Sequence, residues 1–107
     1  MALNEKTIAF IGAGHITTII LDNLIETETV SPHNLIASDP DKDRLQRLSE
    51  RCQIATAQDN RDAVKRADFV FINVPPQSVR NVIDGLKRKP FPENKLVISL
   101  ADRKSVV

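Results

Sequence analysis

An α/β fold built on a single parallel sheet is predicted by three observations. Apolar runs alternate with amphipathic stretches from one end of the 107-residue chain to the other. The runs are continuous rather than alternating, as strands covered on both faces require. The first run stops at Gly12-Ala13-Gly14 and passes at once into a helix-compatible pattern. Strand–helix alternation implies right-handed crossovers. The expected architecture is therefore a doubly wound parallel sheet of about five strands in the order 3-2-1-4-5.

Each element has its own signal. Residues 7–11, with the run from Ile8 to Ile11, form the first strand. The first helix is expected from Gly14 to about Thr29, with Ile16, Ile19, Ile20 and Leu24 on its inner face. Ser31-Pro32-His33 breaks that pattern, and residues 35–38 make a second short strand closed by Asp39-Pro40. Residues 41–51 read as a helix with Asp41 as N-cap or first-turn acid and Leu45 and Leu48 inward. Ile54-Ala55-Thr56 is a weak third strand, and residues 59–66 a short helix burying Ala63 and Val64. Asp68 precedes the clearest strand, residues 69–74, which Pro75-Pro76 ends. Residues 77–89 are helical, with Val79, Val82, Ile83 and Leu86 spaced for burial. Residues 96–100 form the fifth strand, so neither a sixth strand nor a second domain is expected, and residues 1–107 are read as one domain.

Composition narrows the function classes. With 41% apolar residues the chain can fill a core, yet it has four Phe, no Trp and no Tyr. Base-stacking platforms need exposed rings, and phosphate-tracking surfaces show a basic excess that a net charge of +1 does not supply. Nucleic acid is therefore not an expected partner. No apolar run approaches the ~20 residues that span a bilayer, so no membrane is expected either. There is no signal-peptide pattern, and the single Cys52 suits a reducing cytoplasm, where it is expected to be a structural thiol.

The glycine turn points to chemistry. A strand entering a helix through Gly-x-Gly is the phosphate-cradling element of dinucleotide-binding, Rossmann-type folds. Gly12 permits the tight turn, Gly14 removes a side chain that would block a diphosphate, and the helix N-terminus beyond offers amides and a positive dipole end. The third glycine of the fingerprint is Thr17, which predicts slightly wider helix–strand packing or a small local shift. His15 can offer its backbone amide whatever its side chain does, and the Thr17 and Thr18 hydroxyls can meet a phosphate or serve ordinary helix-start chemistry. Asp39 lies about twenty residues beyond the turn, where an acid accepts from an adenosine ribose and favours NAD. Ser38 can face that ribose instead, with Lys42 or Arg44 pairing a 2′-phosphate, and Asp39-Pro40-Asp41 can equally make only a turn and a cap. NADP and NAD both stay open. Pro75-Pro76 is either loop punctuation or a rigid shelf beside a nicotinamide.

With these residues in place, the chain resembles the N-terminal cofactor domain of the pyrroline-5-carboxylate reductases. The run FIGAGHIT is similar to the family's FIGxGNMA, Asp59-Asn60 with Ala63-Val64 to its DN-x-x-AV segment, residues 67–72 to the opening of ADVVILAVKPQ, and LVISLA to LVISIAAG. His15 and Ile16 stand where the family has Asn and Met, and Pro75 where it has Lys, while Pro76 and Gln77 still match. After Ala101 the family continues into a helical dimerisation domain that supplies dimer contacts and imine-holding residues, whereas this sequence reads Asp102-Arg103-Lys104-Ser105-Val106-Val107.

The resemblance implies a reductase that passes hydride from NADPH or NADH to the cyclic imine of pyrroline-5-carboxylate. It further implies that Gly12, Ala13, Gly14, His15 and Ile16 meet the pyrophosphate, and that Ser38 and Asp39 meet the adenosine ribose. Asn60 would contact the nucleotide, and Val74 and Pro75 would lie toward the nicotinamide. No residue here presents a convincing proton donor, so the chain alone is expected to bind nucleotide without turnover. The rival readings are a stand-alone NAD(P) sensor or partner-docking module, a fragment or disrupted copy, and a hydroxyacid-dehydrogenase-type cofactor domain. A homo-dimer or a missing catalytic partner is compatible with the first reading.

Overall fold

Ile8–Ile11 (β1) is buried at every position and lies at the centre of the sheet. It pairs in parallel with Leu35–Ser38 (β2) on one side and Phe69–Ile72 (β4) on the other. The computed structural model describes residues 6–87 and 96–99. Ala55–Thr56 (β3) and Leu96–Ser99 (β5) flank these strands, giving the expected order β3-β2-β1-β4-β5. The chain works outward from β1 to β3, then crosses back to β4 on the far side of β1. A topological switch thus falls between β1 and β4, and a crevice opens at their carboxyl ends.

The helices divide between the two faces. His15–Glu26 (α1) and Lys42–Cys52 (α2) close a core of Phe10, Leu21, Leu35, Leu45 and Leu48. Asn60–Arg66 (α3) and Pro76–Lys87 (α4) close a second, around Ile11, Ile36, Val64, Val70 and Ile72. Phe10 and Phe71 stack across β1 and β4, with ring centroids 5.2 Å apart. Caps set the helix starts. Asp41 accepts from the Arg44 amide at 3.1 Å and Asp59 from the Asp62 amide at 2.8 Å, each satisfying one orphan donor.

Four expectations are corrected. α1 stops at Glu26 rather than near Thr29, because Glu28 turns the chain into the left-handed region (φ 57°) and the Thr27 hydroxyl donates back to the Asn23 carbonyl. Its buried stripe is also one residue out of step with the expected one. Thr17 and Leu21 are buried and Ile20, Leu24 and Ile25 pack against the core, while Ile16 and Ile19 are 52% and 53% exposed. On that buried face the hydroxyl of Thr17 donates to the Gly12 carbonyl at 2.6 Å. Finally, β4 ends at Ile72 and α2 takes in Cys52 as its last residue. The expected helix end at Lys89, the strand end at Leu100, and residues 1–5 and 101–107 lie outside the described residues.

Candidate functional site

The parallel register sets Ile11 level with Ser38 and with Ile72, so the next residues, Gly12, Asp39 and Asn73, leave the sheet together. Gly12 donates its amide to the Ser38 carbonyl at 2.8 Å, and Asn73 donates its amide to the Ile11 carbonyl at 2.7 Å. Gly12 has φ +105°, and a β-carbon there would collide with the Asn73 carbonyl oxygen and sit 2.8 Å from its carbonyl carbon. Both backbone sign and space demand glycine at that position.

Gly14 is different. Its backbone is extended (φ −83°, ψ −167°), and the nearest atom to a β-carbon built on it is Arg44 Nη1, 4.0 Å away. Nothing in the protein's own packing requires glycine here. The hollow over Gly14 is left open by the protein, as a close approach of ligand to backbone requires.

Gly14 is also the N-cap of α1. It supplies no capping side chain, and the first turn holds no acid, whereas α2 and α3 have capping aspartates and the first-turn acids Asp43 and Asp62. The first turn of α1 therefore carries no capping side chain and no acid of its own, beside the exposed His15 and Ile16. Such a terminus suits an anion.

On the β2 side, Asp39 is only 6% exposed. Its Oδ2 accepts from the Ala13 amide at 2.7 Å and its Oδ1 from the Asp41 amide at 2.7 Å. Arg44 Nη1 lies 3.7 Å from Oδ2, with its side chain half exposed. The carboxylate thus ties the glycine turn to the approach to α2, accepting one backbone bond at each oxygen and keeping further lone pairs. Ser38, also buried, donates its hydroxyl to Asn60 Oδ1 at 2.8 Å and so holds the start of α3 against the end of β2. Lys42 donates to the Gln58 carbonyl at 3.2 Å. Across the crevice, Val74 is half-buried and Pro75 exposed.

Two polar side chains of the site escaped the sequence reading in this role. Thr17, fully buried, donates to the Gly12 carbonyl and accepts from Asn73 Nδ2 at 2.9 Å. A threonine in place of the third glycine, with an asparagine ending the next central strand, was the available signal. Cys52 lies away from the site, with its sulfur 3.6 Å from Asp22 Oδ1, and burial raises its thiol above the ordinary range. Among the described residues no cluster of His, Cys, Asp or Glu could hold a metal ion.

Residues 7–103 match the family model described as NADP oxidoreductase coenzyme F420-dependent. The chain belongs to that family. The resemblance to pyrroline-5-carboxylate reductases is also borne out. The chain is 33% identical over 99 residues to a pyrroline-5-carboxylate reductase of Methanosarcina acetivorans, covering 92% of this chain and 36% of the relative. A pyrroline-5-carboxylate reductase structure from Coxiella burnetii superposes with a TM-score of 0.77 at 31% identity, over 91% of this chain and 36% of the other. An imine reductase variant from Myxococcus stipitatus, solved in complex with NAD+, reaches a TM-score of 0.69 at 25% identity, over 89% and 31%. The NADP oxidoreductase-family chain thus spans about a third of the length of the relatives it matches.

Proposed function

We propose that this chain is the nicotinamide-dinucleotide-binding part of a pyrroline-5-carboxylate reductase-like oxidoreductase, with NADP or NAD as its cofactor. The observation that carries this reading is the open hollow over Gly14 at the uncapped start of α1. Gly12, Ala13, Gly14, His15 and Ile16 surround the diphosphate in this proposal. Ser38, Asp39 and Asn60 form the adenosine side, and Val74 and Pro75 the nicotinamide side. A bound reduced nicotinamide supplies hydride for an imine carbon, and this chain's residues bind and orient it. No residue among those described is assigned a catalytic role, and turnover is placed in the whole protein. The chain alone is expected to bind without reducing an imine.

A cytoplasmic location, suggested by the lone thiol, belongs to the same proposal. No helix among the described residues is long and apolar enough to cross a membrane. A second reading, a sensor or partner-docking module, is favoured by the exposure of Ile16 and Ile19 next to the site. Calorimetric titration with NADPH and NADH tests the main reading, with saturable binding of at least one as the expected result. Binding weaker than about 1 mM for both, worth only about 4 kcal/mol, defeats it. Native mass measurement separates the second reading, since a non-binding chain that captures a partner or a second copy supports docking.

A further inference from the structure

The peptide unit joining Gly12 to Ala13 is gripped at both of its polar ends by side chains from different elements. Its carbonyl accepts the Thr17 hydroxyl proton at 2.6 Å, and its N–H donates to Asp39 Oδ2 at 2.7 Å. Thr17 and Asp39 are both buried, so neither bond competes with bulk water. Such a grip is needed because Gly12, at φ +105°, lacks the Cβ that restricts other residues. Its following peptide plane can otherwise turn over, pointing the carbonyl oxygen at the Asp39 carboxylate and the amide at Thr17, and so changing the course of the turn into Gly14.

The proton count settles the orientation of a third group. Thr17 has one hydroxyl proton, and the Gly12 carbonyl can only accept, so that proton is spent there. Thr17 Oγ1 must then accept from Asn73 Nδ2, 2.9 Å away, which draws the end of β4 into the same network. One hydroxyl thus joins the glycine turn, α1 and β4, while Asp39 joins the turn to the end of β2.

We infer that Thr17 and Asp39 are positioning residues for anion binding, a two-sided latch that holds the Gly12–Ala13 peptide, and with it the course of the turn into Gly14, in one orientation. Asn73 orients the hydroxyl that closes the Thr17 side. The consequence for binding rests on the dinucleotide reading above; the latch itself is a property of the protein without ligand.

The test uses the full chain, isotope-labelled, with Thr17→Val, Thr17→Ser and Asn73→Ala, and two readouts. One is hydrogen exchange of the Ala13 amide relative to Val70 in the central sheet; the other is the NADPH dissociation constant. Thr17→Val is expected to speed Ala13 exchange relative to Val70 and to weaken NADPH by about tenfold each, or about 1.4 kcal/mol. Thr17→Ser, which keeps the hydroxyl, restores both. Asn73→Ala frees the hydroxyl to turn, gives a smaller change of the same sign, and carries the test if Thr17→Val does not fold. An unchanged Ala13-to-Val70 ratio in the folded variants, or equal weakening of NADPH by Ser and Val, overturns the latch. If the unaltered chain does not bind NADPH, the dinucleotide reading falls, and the exchange ratio still decides the latch.

Discussion

Gly12 and Gly14 look alike in the sequence but make opposite predictions. At Gly12, alanine must adopt φ +105° and place its methyl against the Asn73 carbonyl, which is backbone and cannot swing aside. The conformational strain costs about 1–3 kcal/mol and the steric clash about as much again. A total of about 2–6 kcal/mol is a large share of a typical domain's stability. Near the midpoint, 1 kcal/mol moves the melting temperature of a domain this size by about 4–8 °C, so Gly12→Ala is expected to lower it by more than about 8 °C or to prevent folding. At Gly14 the backbone is extended and a methyl meets nothing closer than 4.0 Å. Gly14→Ala should therefore fold with a net stability change within about 1 kcal/mol, because the unfolded chain's reduced entropy is offset by alanine's poorer fit at an N-cap. Its methyl stands where the diphosphate is proposed to lie, so NADPH affinity should drop by at least about tenfold. Thermal unfolding and calorimetric titration on the two variants read the two effects separately. Unaltered affinity in Gly14→Ala, or a stability loss matching that of Gly12→Ala, refutes the assignment of the hollow.

Arg44→Ala should weaken NADPH by about tenfold and NADH little, because a half-exposed guanidinium beside Asp39 can pair a 2′-phosphate that NADH lacks. Equal losses for both cofactors would show that Arg44 acts through Asp39 instead. Gly85 lies inside α4 with nothing within 4 Å of a β-carbon, so Gly85→Ala should stabilise the chain by about 0.5–1 kcal/mol in denaturant titration, and a destabilised variant contradicts that. The Arg51 guanidinium, donating to Asp22 at 2.7 Å, holds the Asp22 carboxyl below its ordinary value. A carboxyl lowered in the folded state stabilises the fold above the ordinary carboxylate range, and that contribution is lost as pH falls through the folded value. Asp22→Asn should flatten this acid limb of a stability–pH curve, and an unchanged limb would assign it to other groups.

The elements most legible in the sequence are those whose signals are local. β2 has the expected limits, and the expected Asp41 cap lies within three residues of the amide it serves. The sheet order was legible too, because continuous apolar runs separated by helical stretches permit few right-handed arrangements. The glycine turn could be located for the same reason, since a strand, a Gly-x-Gly and a helix are contiguous. Local patterning did not reveal which face of α1 is buried, because its many isoleucines offered more than one apolar stripe. The folded chain buries the face that carries Thr17 and Leu21, which long-range packing selects.

Residue types and their order were thus enough to determine a doubly wound sheet, the Asp41 cap and the place of the glycine turn. Only the tertiary structure decided what Asp39, Thr17 and Asn73 do there. The partners concerned, Asp39 with Ala13 and Asn73 with Thr17, are 26 and 56 residues apart. A hydrogen bond across such a gap exists only once strands β1, β2 and β4 lie side by side, and no local spacing encodes it. In the folded chain the Asp39 carboxylate bonds the loop beside it, an anchor that no spacing along the sequence shows.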